Sequence, residues 1–163
     1  MEAVPGISAA NAAAARIELC RIGDVSATIA VQPAAGTEQT ALVTLTNTGT
    51  ASCSISGWPT IALVNAANRP VEVPTVKVDE PGPATEFTLA GGDAAYAGIK
   101  WAGCAKGDEG CAAGNTLRYD LGLSTAGPVA TLEGFPKGKR NNITMRSLEI
   151  GSLQPTRQGV TDW

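Results

Sequence analysis

The sequence predicts an all-β fold, an antiparallel sandwich of about eight or nine short strands that is held by two disulfides. Apolar and polar residues alternate with a period of two along most of the chain, as in strands with one buried face. The composition includes 19 Gly and 10 Pro, which suit many tight turns. Four Cys in so small a protein favour disulfides and an oxidising compartment.

The chain length predicts one domain. A chain of 163 residues can bury a substantial core, but it is short for two domains. We expect residues 1–15, which are rich in Ala, to form a flexible or short helical spacer, and residues 16–163 to form the domain. The first 15 residues do not have the pattern of an export signal, so we expect a leader or lipid anchor to precede Met1. No apolar run approaches the roughly 18 residues of a membrane span.

The alternation places the first strands in residues 26–32 and 40–47, where small or branched apolar residues alternate with Ser, Thr or Gln. Residues 61–63 continue the pattern. Pro74 interrupts the next apolar stretch, residues 71–78. Because proline cannot donate to a β-ladder, we expect an edge strand or two separate pieces there.

Two further patterns follow. The Gly-Gly-Asp turn at residues 91–93 separates a short strand at 87–89 from a longer one at 95–101, which predicts a β-hairpin. The clearest strand is 116–124. Its predicted inward residues are Leu117, Tyr119, Leu121 and Leu123.

The last strands lie near the carboxyl end. A short strand is expected at residues 129–132, and a longer one at 143–150. In the longer strand the apolar residues change phase between Met145 and Leu148. A one-residue slip turns side chains to the opposite face, so we predict a bulge or bend near Ser147.

The stretch from Leu45 to Pro59 is the most distinctive part of the sequence. It contains Thr-Asn-Thr-Gly at a strand end, then Cys53, then Gly-Trp-Pro. With Cys20 upstream and a Leu-x-Gly-Gly turn leading to Trp101, it resembles the DUF4232 domain of secreted actinobacterial proteins of unknown function. The resemblance covers roughly residues 20–152.

The resemblance implies an immunoglobulin-like sandwich that is exported or attached to the cell envelope as a lipoprotein. It implies no enzymatic activity. One departure concerns the cysteines, because the family often carries a last Cys near the final strand, whereas here Cys111 lies close to Cys104. Four Cys allow three pairings, of which we favour Cys20–Cys53 and Cys104–Cys111. A zinc site is disfavoured because no Cys pair has the close spacing of a zinc motif.

The composition also excludes several classes of function. The absence of His excludes triads with an imidazole base and His-based metal sites. A net charge of −3 without a strongly basic region disfavours nucleic-acid binding. Four acids are candidates for a glycosidase pair: Asp108, Glu109, Asp120 and Glu133. Asp108 and Glu109 are also candidate calcium ligands, but they are too few for that ion. Ordinary solvated carboxylates are the preferred interpretation for all four. We therefore expect no enzyme, no cofactor and no metal.

Three sets of residues are candidates for partner binding. If its cysteines pair, the loop between Cys104 and Cys111 is preorganised and loses less entropy on binding. Its candidates are Lys106, Asp108 and Glu109. A basic turn offers Lys137, Lys139 and Arg140. The aromatic candidates for an exposed platform are Trp58 and Trp101, with Trp163 as a third. The ordinary alternatives are solvated turns.

These observations favour a non-enzymatic extracytoplasmic domain, secreted or envelope-attached, with a binding or structural role. We expect a monomer whose partner is a protein or a cell-wall glycan. The alternative is a secreted inhibitor or protein-ligand module that uses the Cys104–Cys111 loop. A hydrolase with an unrecognised site is the third hypothesis.

Overall fold

The computed structural model describes residues 17–33, 38–135 and 141–163. In these residues it consists of strands and one 3₁₀ turn, Ile22–Asp24. The strands are β1 Val25–Gln32, β2 Glu38–Asn47, β3 Cys53–Ile55, β4 Thr60–Val64, β5 Pro70–Val71, β6 Thr75–Lys77, β7 Phe87–Leu89, β8 Ala94–Ala102, β9 Ala112–Gly114, β10 Thr116–Asp120, β11 Thr131–Glu133, β12 Ile143–Met145 and β13 Ser147–Ile150. Their number exceeds eight or nine because two predicted stretches, 71–78 and 143–150, are each split, and because β3 and β9 were not predicted. The predicted spacer and Lys137, Lys139 and Arg140 lie outside the described residues.

One layer is a six-stranded sheet with the order β11-β1-β2-β8-β13-β6. Its central pairs are antiparallel, but β11 pairs in parallel with β1, and β6 in parallel with β13. The sheet is therefore mixed rather than purely antiparallel. Both outer strands are three residues long, which limits unwanted pairing with other chains.

The opposing strands form three smaller sheets, ordered β10-β4-β5, β3-β7 and β12-β9. Inward side chains of all these sheets and of the six-stranded sheet join one hydrophobic core. Fully buried members include Ile29, Val43, Ile99, Leu63, Leu117 and Met145. The predicted all-β fold with two disulfides is confirmed.

The predicted hairpin at the Gly-Gly-Asp turn is wrong. Strand β7 pairs with β3, whereas β8 pairs with β2 and β13 in the six-stranded sheet. The N–H of Asp93 donates to the Ala90 carbonyl at 2.9 Å, so the turn itself forms, but it carries the chain between layers. A Cβ on Gly91 would lie 2.6 Å from the Gly49 oxygen, so this approach requires glycine.

The predicted phase change in the last strand is confirmed. The strand breaks at Arg146, whose N–H donates to the Ala102 carbonyl at 2.8 Å. Strand β12 pairs with β9, and β13 pairs with β8 and β6. Because the two halves belong to different sheets, the apolar residues of both phases are buried.

Leu123 was predicted to face inward, and its side chain is instead 83% exposed. Strand β10 ends at Asp120, whose Oδ2 accepts hydrogen bonds from the N–H groups of Gly122 and Ser124 at 2.9 and 3.0 Å. This side-chain turn ends the alternation three residues before Leu123. The inward positions of Leu117 and Tyr119 are confirmed.

The carboxyl-terminal segment covers part of the six-stranded sheet. Gln154 exchanges two backbone hydrogen bonds with Tyr96 of β8, at 2.8 and 2.9 Å. Val160 is buried, and its carbonyl lies where a Cβ on Gly98 would stand. The close approach of this segment therefore depends on glycine at position 98.

Candidate functional site

The Thr-Asn-Thr-Gly motif and the Leu-x-Gly-Gly turn meet at one end of the sandwich. Asn47 is buried, and its Nδ2 donates to the carbonyls of Ala51 and Leu89 at 2.9 and 3.0 Å. Its Oδ1 accepts from the N–H of Gly49 at 2.9 Å. The Asn-Thr-Gly motif therefore has a structural role, because its amide joins the loop after β2 to the end of β7.

The Cys20–Cys53 disulfide lies at the same end and confirms the predicted pairing. It joins the amino-terminal segment to β3. Beside it, the N–H of Cys20 donates to the Ser54 carbonyl at 2.9 Å, and the N–H of Ser54 donates to the Glu18 carbonyl at 2.8 Å. Disulfide and backbone contacts together fix residues 18–20 against the domain.

The second predicted disulfide, Cys104–Cys111, also forms. It closes an exposed loop between β8 and β9 that carries Lys106, Asp108 and Glu109. The N–H of Asp108 donates to the Ala105 carbonyl at 3.0 Å, and Arg146 Nη1 donates to the Glu109 carbonyl at 3.3 Å. The loop is thus stabilised by a hydrogen bond within it and by one from Arg146, which lies outside it. Within the described residues, no group of His, Cys, Asp and Glu is arranged to hold a metal ion.

The two tryptophans proposed as an aromatic platform lie apart and differ in burial. Trp101 is 5% exposed and stacks on Phe135 with ring centroids 5.6 Å apart, so it belongs to the core. Trp58 is half-buried and its Nε1 donates to the Val78 carbonyl at 2.8 Å. Lys77 Nζ lies 5.8 Å from the Trp58 ring centroid. Trp58 and Trp101 therefore do not form one exposed aromatic surface.

Trp163, the third aromatic candidate, packs with the carboxyl-terminal segment. Its Nε1 donates to the Val160 carbonyl at 2.6 Å, and Lys100 Nζ lies 4.7 Å from its ring centroid. The contacts hold the end of the chain against β8, which indicates a packing role.

An apolar groove opens where the two layers separate, between β4 and β6. It consists of two depressions of about 330 and 570 Å³, and both are lined by Ile61, Thr75 and Thr125. The first also contacts Leu63, Val71, Glu72 and Leu148. The second also contacts Pro59, Val76, Lys77, Leu123 and Ile150. We call this the β4–β6 groove.

The rim of the β4–β6 groove exposes large aliphatic side chains. Leu123 is 83% and Val76 is 58% exposed, and both line the larger depression. The hydroxyl of Thr60 donates to the Gly122 carbonyl, which fixes the Leu123 loop beside β4. Clustered apolar exposure of this kind marks interaction sites.

The charges of the groove lie at opposite ends. Glu72 lines the smaller depression, and Lys77 lines the larger one. Both side chains are exposed. The groove therefore has an apolar centre with one acidic and one basic end, which can orient a bound molecule.

The sequence did not identify this groove, because its lining comes from four separate segments. Residues 59–63, 70–77, 123–125 and 148–150 are far apart in the chain. One signal did point towards it: Pro74 predicted an edge strand, and β6 is the outermost strand of the six-stranded sheet. No sequence pattern distinguished Leu123 from an inward residue.

Among the described residues, Tyr119 has a shifted pKa. Burial raises the pKa of its phenol, and a backbone hydrogen bond with Ala27 partly offsets this effect. Its hydroxyl donates to the Val25 carbonyl at 2.8 Å, which links β10 of one layer to β1 of the other. The role of Tyr119 is therefore structural.

The observed architecture defines the class of the protein: a β-sandwich domain with two disulfides and an open groove at one side. The described residues contain no helix long and apolar enough to cross a membrane. The family model for the domain of unknown function DUF4232 matches residues 20–154, and the chain belongs to that family. The match runs from the first disulfide cysteine to Gln154, the partner of Tyr96. No curated protein and no solved structure matches the chain.

Proposed function

We propose that this protein is a non-enzymatic extracytoplasmic domain, secreted or attached to the envelope, which binds a partner in the β4–β6 groove. The binding role rests on the exposure of Leu123 and Val76 at the rim of an apolar depression. Covering an exposed aliphatic side chain is favourable by about 25 cal/mol per Å² of apolar surface. A partner that covers both therefore gains affinity without rearranging the core.

The extracytoplasmic location is supported by the two disulfides, which persist in oxidising compartments. The resemblance to secreted and lipoprotein domains supports the same location. We expect the domain to act as a monomer on a protein or a cell-wall glycan. The aliphatic lining favours a protein, since the centres of protein interfaces are rich in apolar surface and poor in charged residues.

The absence of catalysis is part of the proposal. The chain contains no His, so an imidazole base is excluded. The larger depression of the groove is lined by aliphatic residues, Thr and one Lys. Its chemistry suits contact with an apolar surface.

The test compares two exposed leucines. Leu123→Asp places a charge in the groove, and Leu19→Asp places one at the disulfide end, where Leu19 is 68% exposed. Binding isotherms are measured with envelope proteins and with wall glycan from the source organism. We expect saturable binding that Leu123→Asp weakens at least tenfold and Leu19→Asp leaves unchanged. Equal binding by both variants would contradict the proposal.

The second candidate function is a protein-ligand or inhibitor module. The observation that favours it is the braced, exposed loop between Cys104 and Cys111. The double variant Asp108→Asn with Glu109→Gln removes its two carboxylates and keeps its disulfide. Loss of binding in that variant, with full binding by Leu123→Asp, would assign the activity to the loop.

A further inference from the structure

We propose that the β4–β6 groove binds an extended polypeptide segment of a partner, which adds as a strand to the free edge of β6. This inference rests on the proposed function and specifies its ligand. The class of ligand follows from the backbone groups that line the groove. Its side-chain preferences follow from the aliphatic centre and the charged ends.

The free edge of β6 carries unused backbone groups. In the pairing with β13, the N–H of Leu148 donates to the Pro74 carbonyl and the N–H of Val78 donates to the Ile150 carbonyl, both at 2.9 Å. In such a ladder alternate residues face the same neighbour, so the backbone groups of Thr75 and Lys77 face away from β13. They offer two donors and two acceptors at the outer edge of the sheet.

Strand β4, which forms the opposite wall of the groove, also directs backbone groups towards it. The N–H of Tyr119 donates to the Pro128 carbonyl at 3.0 Å, on the side of β10 away from β4. Ile61, which lies opposite Tyr119, therefore directs its backbone groups away from β10 and towards the groove. Strand β5 pairs with Leu63 and Val64, and its register stops there. A chain in the groove thus meets polar backbone on both walls.

An extended segment matches this arrangement. Its main chain satisfies the edge of β6, and its alternate side chains reach the apolar centre, as in other cases of strand addition. Lys77 favours an acidic residue at one end of the segment, and Glu72 favours a basic residue at the other. Because β6 is three residues long and follows Pro74, the added strand is short.

A second copy of the protein fits less well. Antiparallel pairing of β6 with itself about Val76 places Thr75 opposite Lys77 of the other copy. That pairing provides no acid for Lys77. The observations therefore favour a partner segment that carries an acidic residue over self-association.

The test selects random heptapeptides displayed on phage against the native protein, with counter-selection against Leu123→Asp. We expect enriched peptides with alternate aliphatic residues and an acidic residue. Synthetic copies are then bound to the native protein, and amide hydrogen exchange is measured. The amides of Thr75 and Lys77 should exchange at least tenfold more slowly with peptide than without. In parallel, selection on Lys77→Glu should change the preference from acidic to basic residues.

Three outcomes would overturn the inference, and they differ in what they leave standing. Peptides that need Leu123 but leave both amides unprotected would refute strand addition and retain the groove as the binding surface. A selection without any peptide that depends on Leu123 would refute the groove as well. Protection of both amides in concentrated protein without peptide, together with a dimer mass, would assign the edge to a second copy.

Discussion

The Nδ2 of Asn47 donates a hydrogen bond to the Leu89 carbonyl at 3.0 Å, although the two residues end strands of different sheets. Two more backbone bonds support the contact, because the N–H of Asn47 donates to the Asp93 carbonyl at 2.9 Å and its own carbonyl accepts from Gly92 at 2.7 Å. Asn47 of the Thr-Asn-Thr-Gly motif is thus hydrogen-bonded to Gly92 and Asp93 of the Gly-Gly-Asp turn. This contact fixes how the chain crosses between layers.

Replacement of Asn47 by Ala should destabilise the protein strongly. The substitution removes donors from the carbonyls of Ala51 and Leu89, and an unsatisfied buried polar group is costly. We expect a loss of about 3 kcal/mol in the free energy of unfolding, measured by urea denaturation. Asn65→Ala is the control, since Asn65 accepts two backbone bonds in an exposed turn. Equal losses in both variants would contradict the role of burial.

Replacement of Gly98 by Ala should loosen the carboxyl-terminal segment. The added methyl group meets the Val160 carbonyl, so either the segment or β8 must move. Overpacking of this kind costs about 2 kcal/mol. Trypsin should cleave at the exposed Arg157 faster than in the parent protein. Gly103→Ala, whose methyl group meets no atom within 4 Å, should behave like the parent. Unchanged cleavage in Gly98→Ala would show that the segment does not depend on this contact.

The two disulfides should differ in their contribution to stability. Cys20–Cys53 spans 33 residues and Cys104–Cys111 spans 7. In the chain-entropy model, their removal by paired Ala substitutions costs about 4 and about 2.5 kcal/mol, respectively. Thermal and urea unfolding of the two double variants show which disulfide contributes more to the free energy of unfolding. A larger loss from the short loop would mean that native-state contacts, rather than loop length, decide the effect.

Tyr119 should make stability fall in alkaline solution. Burial raises the pKa of the folded phenol, so above its ordinary value of 10.0 the unfolded chain releases its proton first. The stability that Tyr119 contributes is fully present below pH 10 and is lost as the pH rises towards the pKa of the folded phenol. Tyr119→Phe loses about 1 kcal/mol at neutral pH with the hydrogen bond to Val25. The difference between parent and variant should shrink above pH 10, and a constant difference would contradict this explanation.

Alternation predicted most strands, and it failed where a local signal was ambiguous. A Gly-Gly-Asp turn is compatible with a hairpin, but β7 pairs instead with β3, and its last residue is held by Asn47. Both partners lie more than 30 residues earlier in the chain. The break at Arg146 was predictable because both phases of the strand carry buried residues. The disulfide pairing agreed with the favoured interpretation.

The candidate site was harder to predict than the fold. Trp101 shares the parity of Ala95 and Ile99, which predicts a buried face, and it stacks in the core. Leu123 continues the alternation of β10 in sequence, but the Asp120 turn ends the strand first. A groove between sheets depends on how distant segments pack, whereas the alternation of a single sequence indicates only which face of each strand is buried.

The most direct test of the proposed binding surface is site-specific photocrosslinking in the source organism. A photoreactive residue replaces Leu123 in one variant and Leu19 in another, since both positions are exposed but only Leu123 lines the groove. We expect one discrete adduct from position 123, none of that mass from position 19, and loss of the adduct when Val76→Asp is added. Val129→Asp, at a position of similar exposure away from the groove, should retain it. An adduct that forms equally from both positions, or that survives Val76→Asp, would contradict the account.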